Sequence, residues 1–237
     1  MSLPKNYQEV FDEFLRRISS LFSDIILLTL TGSGGQERVI NNWSDLDVLI
    51  VLKRLEEKKI KIIYKSVEAL PIKIGLTIYS KEEFEEGLVD SKTVWNIQII
   101  KDKKITPLIF KKDLKLPNFS KECNINIHRL VIPKKIHTIK RNLAKNSNYN
   151  IKSIAKDIDS IMKFAIFSVK GEIVTGYREV QDLFYNLFPE CPEVSDVFEI
   201  IKGIDREIYY HQCWEFLNYL ASRQFIRMSK YKEVCQK

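Results

Sequence analysis

Two short, almost wholly apolar runs limit what the first half of this chain can fold into. The first run is Ile25–Leu30, which stops at the glycine-rich turn 31–35, and the second is Leu46–Leu52. Apolar runs of this length, bounded by turn residues, predict buried β-strands. A third such segment, residues 71–79, predicts another strand. The first half therefore contains a largely buried sheet.

Helical patterns lie between these strands. Apolar residues recur at three- and four-residue spacing over 7–22, which predicts an opening amphipathic helix. A charged helix is predicted over about 55–70. Ser80 and Glu83 have the spacing of a capping box, which predicts a short helix directly after the third strand. Because strands and helices alternate, residues 1–118 predict an α/β domain.

The second half of the chain has a different character. Helical periodicity dominates from about 134 to 230 and includes Phe225 in a long final helix, so residues 119–237 predict an all-α bundle. From Cys123 to Lys156 there is no Asp or Glu, whereas basic residues such as Lys145 are frequent. This basic stretch is expected either to face an anionic substrate or to form a solvated helix surface.

Composition excludes several classes of protein. Hydrophobic residues make up 45% of the chain, enough for packed cores rather than disorder. The four cysteines, of which Cys235 is the last, have no metal-ligand spacing and are expected to be reduced thiols. No apolar run approaches the roughly 18 residues of a membrane span, and no signal segment is evident, so a cytoplasmic protein without a membrane partner is expected. The net charge of +7 suits phosphate-bearing partners without requiring one.

An Asp-x-Asp pair opens the second strand. Side chains alternate between the faces of a strand, so Asp45 and Asp47 are expected on one side, about 7 Å apart. Two carboxylates on one face suit Mg²⁺, which takes its other ligands from water and substrate phosphates. Carboxylates beside so apolar a strand would be costly without a cation, which favours this interpretation.

The glycine turn supplies a complementary site for phosphate. Gly32 lets the backbone approach a phosphate closely, and Ser33 offers a hydroxyl and an N–H at a predicted helix start. Arg38, between the two motifs, is a candidate contact for a triphosphate. Together these residues predict a site for a nucleoside triphosphate and a divalent cation. No GxxxxGK[ST] segment occurs, which excludes a P-loop.

The combination Gly32-Ser33 with Asp45-Leu46-Asp47-Val48 resembles the signature of the DNA polymerase beta-like nucleotidyltransferase superfamily. Its members include aminoglycoside and lincosamide nucleotidyltransferases and small MNT-type proteins. The resemblance implies a mixed sheet with flanking helices, in the α+β or α/β class, followed by a KNTase-C-like or HEPN-like helical domain.

The resemblance also implies an activity, which is Mg²⁺-dependent transfer of NMP, usually AMP from ATP, to a hydroxyl. Asp45 and Asp47 would be the metal ligands and the catalytic carboxylates. Gly32 and Ser33 would bind the β- and γ-phosphates. The acceptor hydroxyl is expected on a small molecule or a protein side chain, and nucleic acid is a less favoured partner.

The third carboxylate that is usual in this family has no counterpart in the sequence. It belongs to a later strand, and the matching segment has Gly75 or Thr77 at the expected place. Either another acid substitutes, or the protein binds nucleotide with little or no transferase activity, as a regulatory or antitoxin-like protein. The candidate substitutes are Glu172, Asp157 and Asp159.

A third hypothesis assigns a ribonuclease activity to the second half. Arg206 and His211 fit the loose R-x4–6-H pattern of HEPN-type ribonucleases, although a chance match of so short a pattern is easy. Two further histidines, His128 and His137, lie in the basic stretch and are expected to contact phosphate or to be exposed.

Overall fold

The computed structural model describes residues 3–144 and 150–222. The chain divides into two compact units between Phe119 and Ser120. Three residues named above lie outside the described residues. They are Lys145 of the basic stretch, Phe225 of the predicted final helix and the thiol-bearing Cys235.

A mixed four-stranded sheet forms the centre of the first unit. Its strand order is β3-β2-β1-β4. Strands β2 and β3 are parallel, whereas β1 is antiparallel to both of its neighbours, β2 and β4. The strands are β1 (Ile25–Thr31), β2 (Leu46–Leu52), β3 (Ile74–Ser80) and β4 (Ile109–Phe110). The three strands predicted from apolar runs are confirmed. The two-residue edge strand β4 is too short to give a periodic pattern.

Helices flank the sheet at the positions where the sequence predicts them, with one addition. The helices of the first unit are α1 (Lys5–Ile18), α2 (Gly32–Gly35), α3 (Glu57–Ser66), α4 (Lys81–Glu85) and α5 (Ser91–Lys101). The capping box at the start of α4 is confirmed, because Ser80 and Glu83 exchange hydrogen bonds between side chain and backbone. Helix α5 was not predicted, since seven of its eleven residues are buried and its apolar residues do not follow one stripe.

The side chains of β2 alternate between two hydrophobic clusters, one on each face of the sheet. Leu46, Val48 and Ile50 pack in the cluster that includes α1. Leu49 and Val51 pack in the other cluster, which includes residues of α4 and α5. By the same alternation Asp47 belongs to the face that α5 covers. The fold therefore places the start of α5 and the start of β2 on one side of the sheet.

The second unit is all-α over its described residues, as the sequence predicts. Its helices are α6 (Lys121–Ala144), α7 (Ile151–Lys170), α8 (Tyr177–Leu187), α9 (Val197–Lys202) and α10 (Arg206–Ser222). Within the part of the chain that the structure describes, no helix is both long and apolar enough to span a membrane.

The prediction that His128 is exposed or contacts phosphate was wrong. The side chain is buried, and its ring centre lies 4.9 Å from that of Phe164 and 5.2 Å from that of Phe167 on α7. Helical spacing explains the burial, because His128 lies four residues before the buried Ile132 on the inner face of α6. Burial lowers the pKa of His128 from its usual value.

Gly35 determines how closely the turn after β1 folds back on that strand. A Cβ atom at Gly35 would lie 2.3 Å from the backbone oxygen of Leu30, whereas a Cβ at Gly34 would lie 3.1 Å from a side-chain methyl of Leu46. We expect Gly35→Ala to lower the free energy of unfolding by about 3 kcal/mol, because the backbone must shift. Gly34→Ala is the control and should cost less than about 1 kcal/mol. Urea unfolding followed by circular dichroism measures both, and equal midpoints would contradict this account.

Candidate functional site

The strand register brings the predicted site residues of the first unit together. Asp47 of β2 pairs with Thr31, the last residue of β1, on one side and with Gly75 of β3 on the other. Gly32 follows Thr31 directly and begins α2, so the glycine turn starts beside the second aspartate. The predicted adjacency of Gly32 and Asp47 is therefore present in the fold.

The Asp47 carboxylate lies between two glycines. A Cβ atom at Gly32 would approach Asp47 Oδ2 to 2.9 Å, and a Cβ at Gly75 would approach Asp47 Oδ1 to 2.8 Å. Contacts this short do not occur around real Cβ atoms, so the carboxylate occupies its position only because both neighbours lack side chains. Its two oxygens consequently face different surroundings. Oδ2 faces the glycine turn and Oδ1 faces β3.

Lys92 forms an ion pair with Asp47. Its Nζ lies 2.8 Å from Asp47 Oδ1, and the side chains of Lys92 and Asp47 are 53% and 33% exposed, respectively. Lys92 belongs to the first turn of α5, which the side chain of Asp90 caps by accepting a hydrogen bond from the backbone N–H of Thr93. The sequence carries no signal for Lys92, because the contact spans 45 residues and the helix that carries it shows no helical period.

Asp45 lies in the loop just before β2 and is partly buried. Helix α1 holds this loop through Tyr7, whose hydroxyl donates to the backbone oxygens of Ser44 at 3.0 Å and Ile40 at 3.3 Å. The loop is closed further by the N–H of Ile40, which donates to the Ser44 hydroxyl at 2.9 Å. Burial raises the pKa of Tyr7, and the negative charge of Asp45 adds to this effect. The first aspartate is therefore attached to a fixed loop.

Ser33 and Arg38 belong to the turn that follows β1. Ser33 is the second residue of α2 and is half-buried. Its backbone oxygen accepts a hydrogen bond of 2.9 Å from the N–H of Arg38, which closes the segment into a compact turn. The side chain of Arg38 is exposed at the surface.

The carboxylates at the start of β2 are of the chemical type that binds a divalent cation together with a phosphate-bearing ligand. Mg²⁺ commonly takes one or two protein carboxylates and completes its shell with water and phosphate oxygens. Asp45 and Asp47 provide two carboxylates, and Asp47 reaches solvent. Over residues 3–144 and 150–222, no group of three or more His, Cys, Asp or Glu side chains is arranged to hold a metal ion. On β3, Gly75 stands opposite Asp47, and it is one of the two positions at which a third carboxylate is expected.

The candidate substitutes for the third carboxylate belong to the second unit, and two of them have cationic partners there. Asp157 binds Lys135, and Asp159 accepts a hydrogen bond of 2.6 Å from Lys163. Burial raises the pKa of Asp159, with Lys163 acting in the opposite direction. Glu172 lies in the loop between α7 and α8 and is exposed.

Other polar residues of the second unit also have partners inside that unit. In the basic stretch, Lys140 donates to Asn218 at 2.6 Å, and Arg129 donates to the backbone oxygen of Ser168 at 3.1 Å. Arg206 lies over the ring of the neighbouring Tyr210, while His211 lies 3.4 Å from Glu215. The two residues of the R-x4–6-H pattern thus make separate contacts along α10.

Comparison with known proteins gives a match to a family model and matches to solved structures. Residues 11–106 match the family model of the nucleotidyltransferase domain. The fold is similar to that of a spectinomycin adenyltransferase from Enterococcus faecialis, solved with ATP and spectinomycin, with a TM-score of 0.54 and 15% sequence identity over 91% of this chain and 98% of that chain. No curated protein matches the chain significantly. The expected fold, a mixed sheet with flanking helices followed by a helical part, is confirmed.

Tyr7 provides a test of how the loop before β2 is held. Tyr7→Phe removes the tyrosine donor to the Ser44 oxygen and one of the donors to the Ile40 oxygen, which also accepts from the N–H groups of Trp43 and Ser44. We expect the substitution to lower the free energy of unfolding by about 1 to 2 kcal/mol. Hydrogen exchange of the Ile40–Ser44 amides should become faster. Tyr64→Phe is the matched control, because Tyr64 is 53% exposed and should change neither quantity. Unchanged exchange in Tyr7→Phe would show that the loop is held by other contacts.

Proposed function

We propose that this chain, whose residues 11–106 match the family model of the nucleotidyltransferase domain, transfers a nucleoside monophosphate from ATP to a hydroxyl group with Mg²⁺ as its cofactor. One observation carries the proposal. The Asp47 carboxylate lies between Gly32 of the glycine turn and Gly75 of β3, at the edge where that turn begins. This arrangement joins a cation-binding carboxylate to a phosphate-binding turn.

The glycine turn is assigned to the triphosphate. Gly32 has a left-handed φ of 58°, a conformation that glycine adopts without strain and that turns the following N–H groups towards one side. The N–H and hydroxyl of Ser33 are suited to donate to β- and γ-phosphate oxygens. Arg38, exposed a few residues further on, adds positive charge for the same anion.

Asp45 and Asp47 are assigned to the cation. When bound there, Mg²⁺ would neutralise charge on the transferring phosphoryl group. The protein contributes position, since Asp45 sits on the loop fixed by Tyr7 and Asp47 sits between two glycines. In the transfer, the acceptor oxygen forms a bond to the α-phosphorus while the bond from that phosphorus to the β-phosphate oxygen breaks. Pyrophosphate leaves, and the hydroxyl proton is released to solvent.

A small molecule is the proposed acceptor. The structurally similar adenyltransferase was solved with ATP and spectinomycin, which supports a small hydroxyl-bearing substrate over a protein side chain. The identity of that substrate differs among proteins with one fold, because function depends on the site rather than on the fold. The likeness therefore supports the class of acceptor only.

One observation favours a second candidate function, nucleotide binding without transfer. Gly75, one of the two positions at which the usual third carboxylate is expected, stands opposite Asp47, and Lys92 is paired with Asp47. Calorimetry with Mg²⁺ and ATP, combined with a pyrophosphate assay over a panel of hydroxyl acceptors, distinguishes the two candidates. Binding accompanied by pyrophosphate release supports transfer, whereas binding with no release from any acceptor supports a regulatory protein.

The carboxylates should be essential for turnover and dispensable for folding. We expect Asp45→Asn and Asp47→Asn each to lower Mg²⁺-dependent pyrophosphate release from ATP by at least about 100-fold, because each removes charge that stabilises the transferring group. The measurement uses spectinomycin and other hydroxyl-bearing acceptors.

The matched control is Asp12→Asn. Asp12 is an exposed aspartate of α1 that accepts a hydrogen bond from Gln8, so its replacement should leave turnover unchanged. Thermal unfolding of all three variants checks the fold. Turnover that survives in both Asp45→Asn and Asp47→Asn would remove these residues from the reaction.

A further inference from the structure

The two oxygens of the Asp47 carboxylate have different partners. Oδ2 faces Gly32 and hence the turn assigned to phosphate, whereas Oδ1 faces Gly75 and binds Lys92 Nζ at 2.8 Å. A cation that contacts the triphosphate would use the side facing the turn. The opposite side of the same carboxylate already carries a positive charge from the protein.

Phosphoryl-transfer sites that use two metal ions hold them roughly 3.5 to 4 Å apart, one for the attacking oxygen and one for the leaving oxygen. A second ion needs oxygen ligands of its own beyond a shared carboxylate, because hard divalent cations bind through several oxygens. Next to Asp47 Oδ1 the neighbouring strand offers Gly75, which has no side-chain oxygen. The ammonium group of Lys92 lies at the same oxygen instead.

We infer that Lys92 takes the place of a second divalent cation, so that this site binds one divalent ion per chain. The inference rests on the proposed function, since it concerns the same carboxylates. In this arrangement Asp45 and Asp47 hold one ion on the side of the glycine turn, and Lys92 neutralises the charge of Asp47 on the side of β3. Lys92 is a positioning residue that acts through Asp47.

The position of Lys92 in α5 suits a fixed positive charge next to Asp47. Lys92 lies in the first turn of α5, where the Asp90 cap and the burial of the helix body fix the backbone. Its side chain is 53% exposed, and ion pairs this open contribute little to folding stability. Replacement of Lys92 should therefore change the electrostatics of the site and leave the protein folded.

Binding of Mn²⁺, counted by electron paramagnetic resonance of the free ion, tests the inference without reference to turnover. We expect one Mn²⁺ per wild-type chain. Lys92→Met should bind Mn²⁺ about tenfold more tightly, because removal of a neighbouring positive charge lowers the repulsion on a divalent ion. Lys92→Arg should match the wild type. Lys101→Met is the control on the same helix, at the end distant from Asp47, and should also match the wild type.

The outcomes separate this inference from the proposed function. Two Mn²⁺ in the wild type would overturn the inference and leave the proposed transfer intact. An unchanged affinity in Lys92→Met would overturn it as well. No Mn²⁺ binding in the wild type, or binding that persists in Asp45→Asn and Asp47→Asn, would instead contradict the metal site on which the proposed function depends.

Discussion

The space occupied by the Asp47 carboxylate is the constraint on which the rest of the candidate site depends. That space exists because Gly32 and Gly75 have no side chains, and because the pairing of β1, β2 and β3 places both glycines beside the same residue. The register in turn follows from the apolar residues of β2, which alternate between two hydrophobic clusters. A shift of the register by one residue would bury Asp47 and expose a core residue, so burial of the apolar side chains selects the pairing that forms the site.

The charge on that carboxylate explains why the position matters chemically. A carboxylate at the edge of an apolar sheet needs solvent or a partner for its charge. Lys92 provides such a partner on one side, and the other side remains directed towards the glycine turn. Gly75 and Lys92 both adjoin the same oxygen of Asp47, Oδ1, so the charge next to that oxygen comes from the ammonium group and not from β3.

Sequence patterns predicted the elements whose signal is local. Apolar runs identified β1, β2 and β3, the Ser80–Glu83 spacing identified the cap of α4, and the Asp-x-Asp motif pointed to the carboxylates. Features that depend on tertiary contacts were missed or wrong. Helix α5 is buried on most sides and lacks a helical period, so neither it nor Lys92 could be inferred. His128 looked like one more polar residue of a basic stretch, yet the helical register of α6 turns it inward.

The close packing of the glycine turn against β1 has a consequence for binding affinity. Gly35 leaves no room between the turn and the backbone oxygen of Leu30, and the N–H of Arg38 closes the turn through Ser33. A segment held in this way has already lost its conformational freedom during folding. An anion that docks there does not have to order the backbone, so little of its interaction energy is spent on entropy.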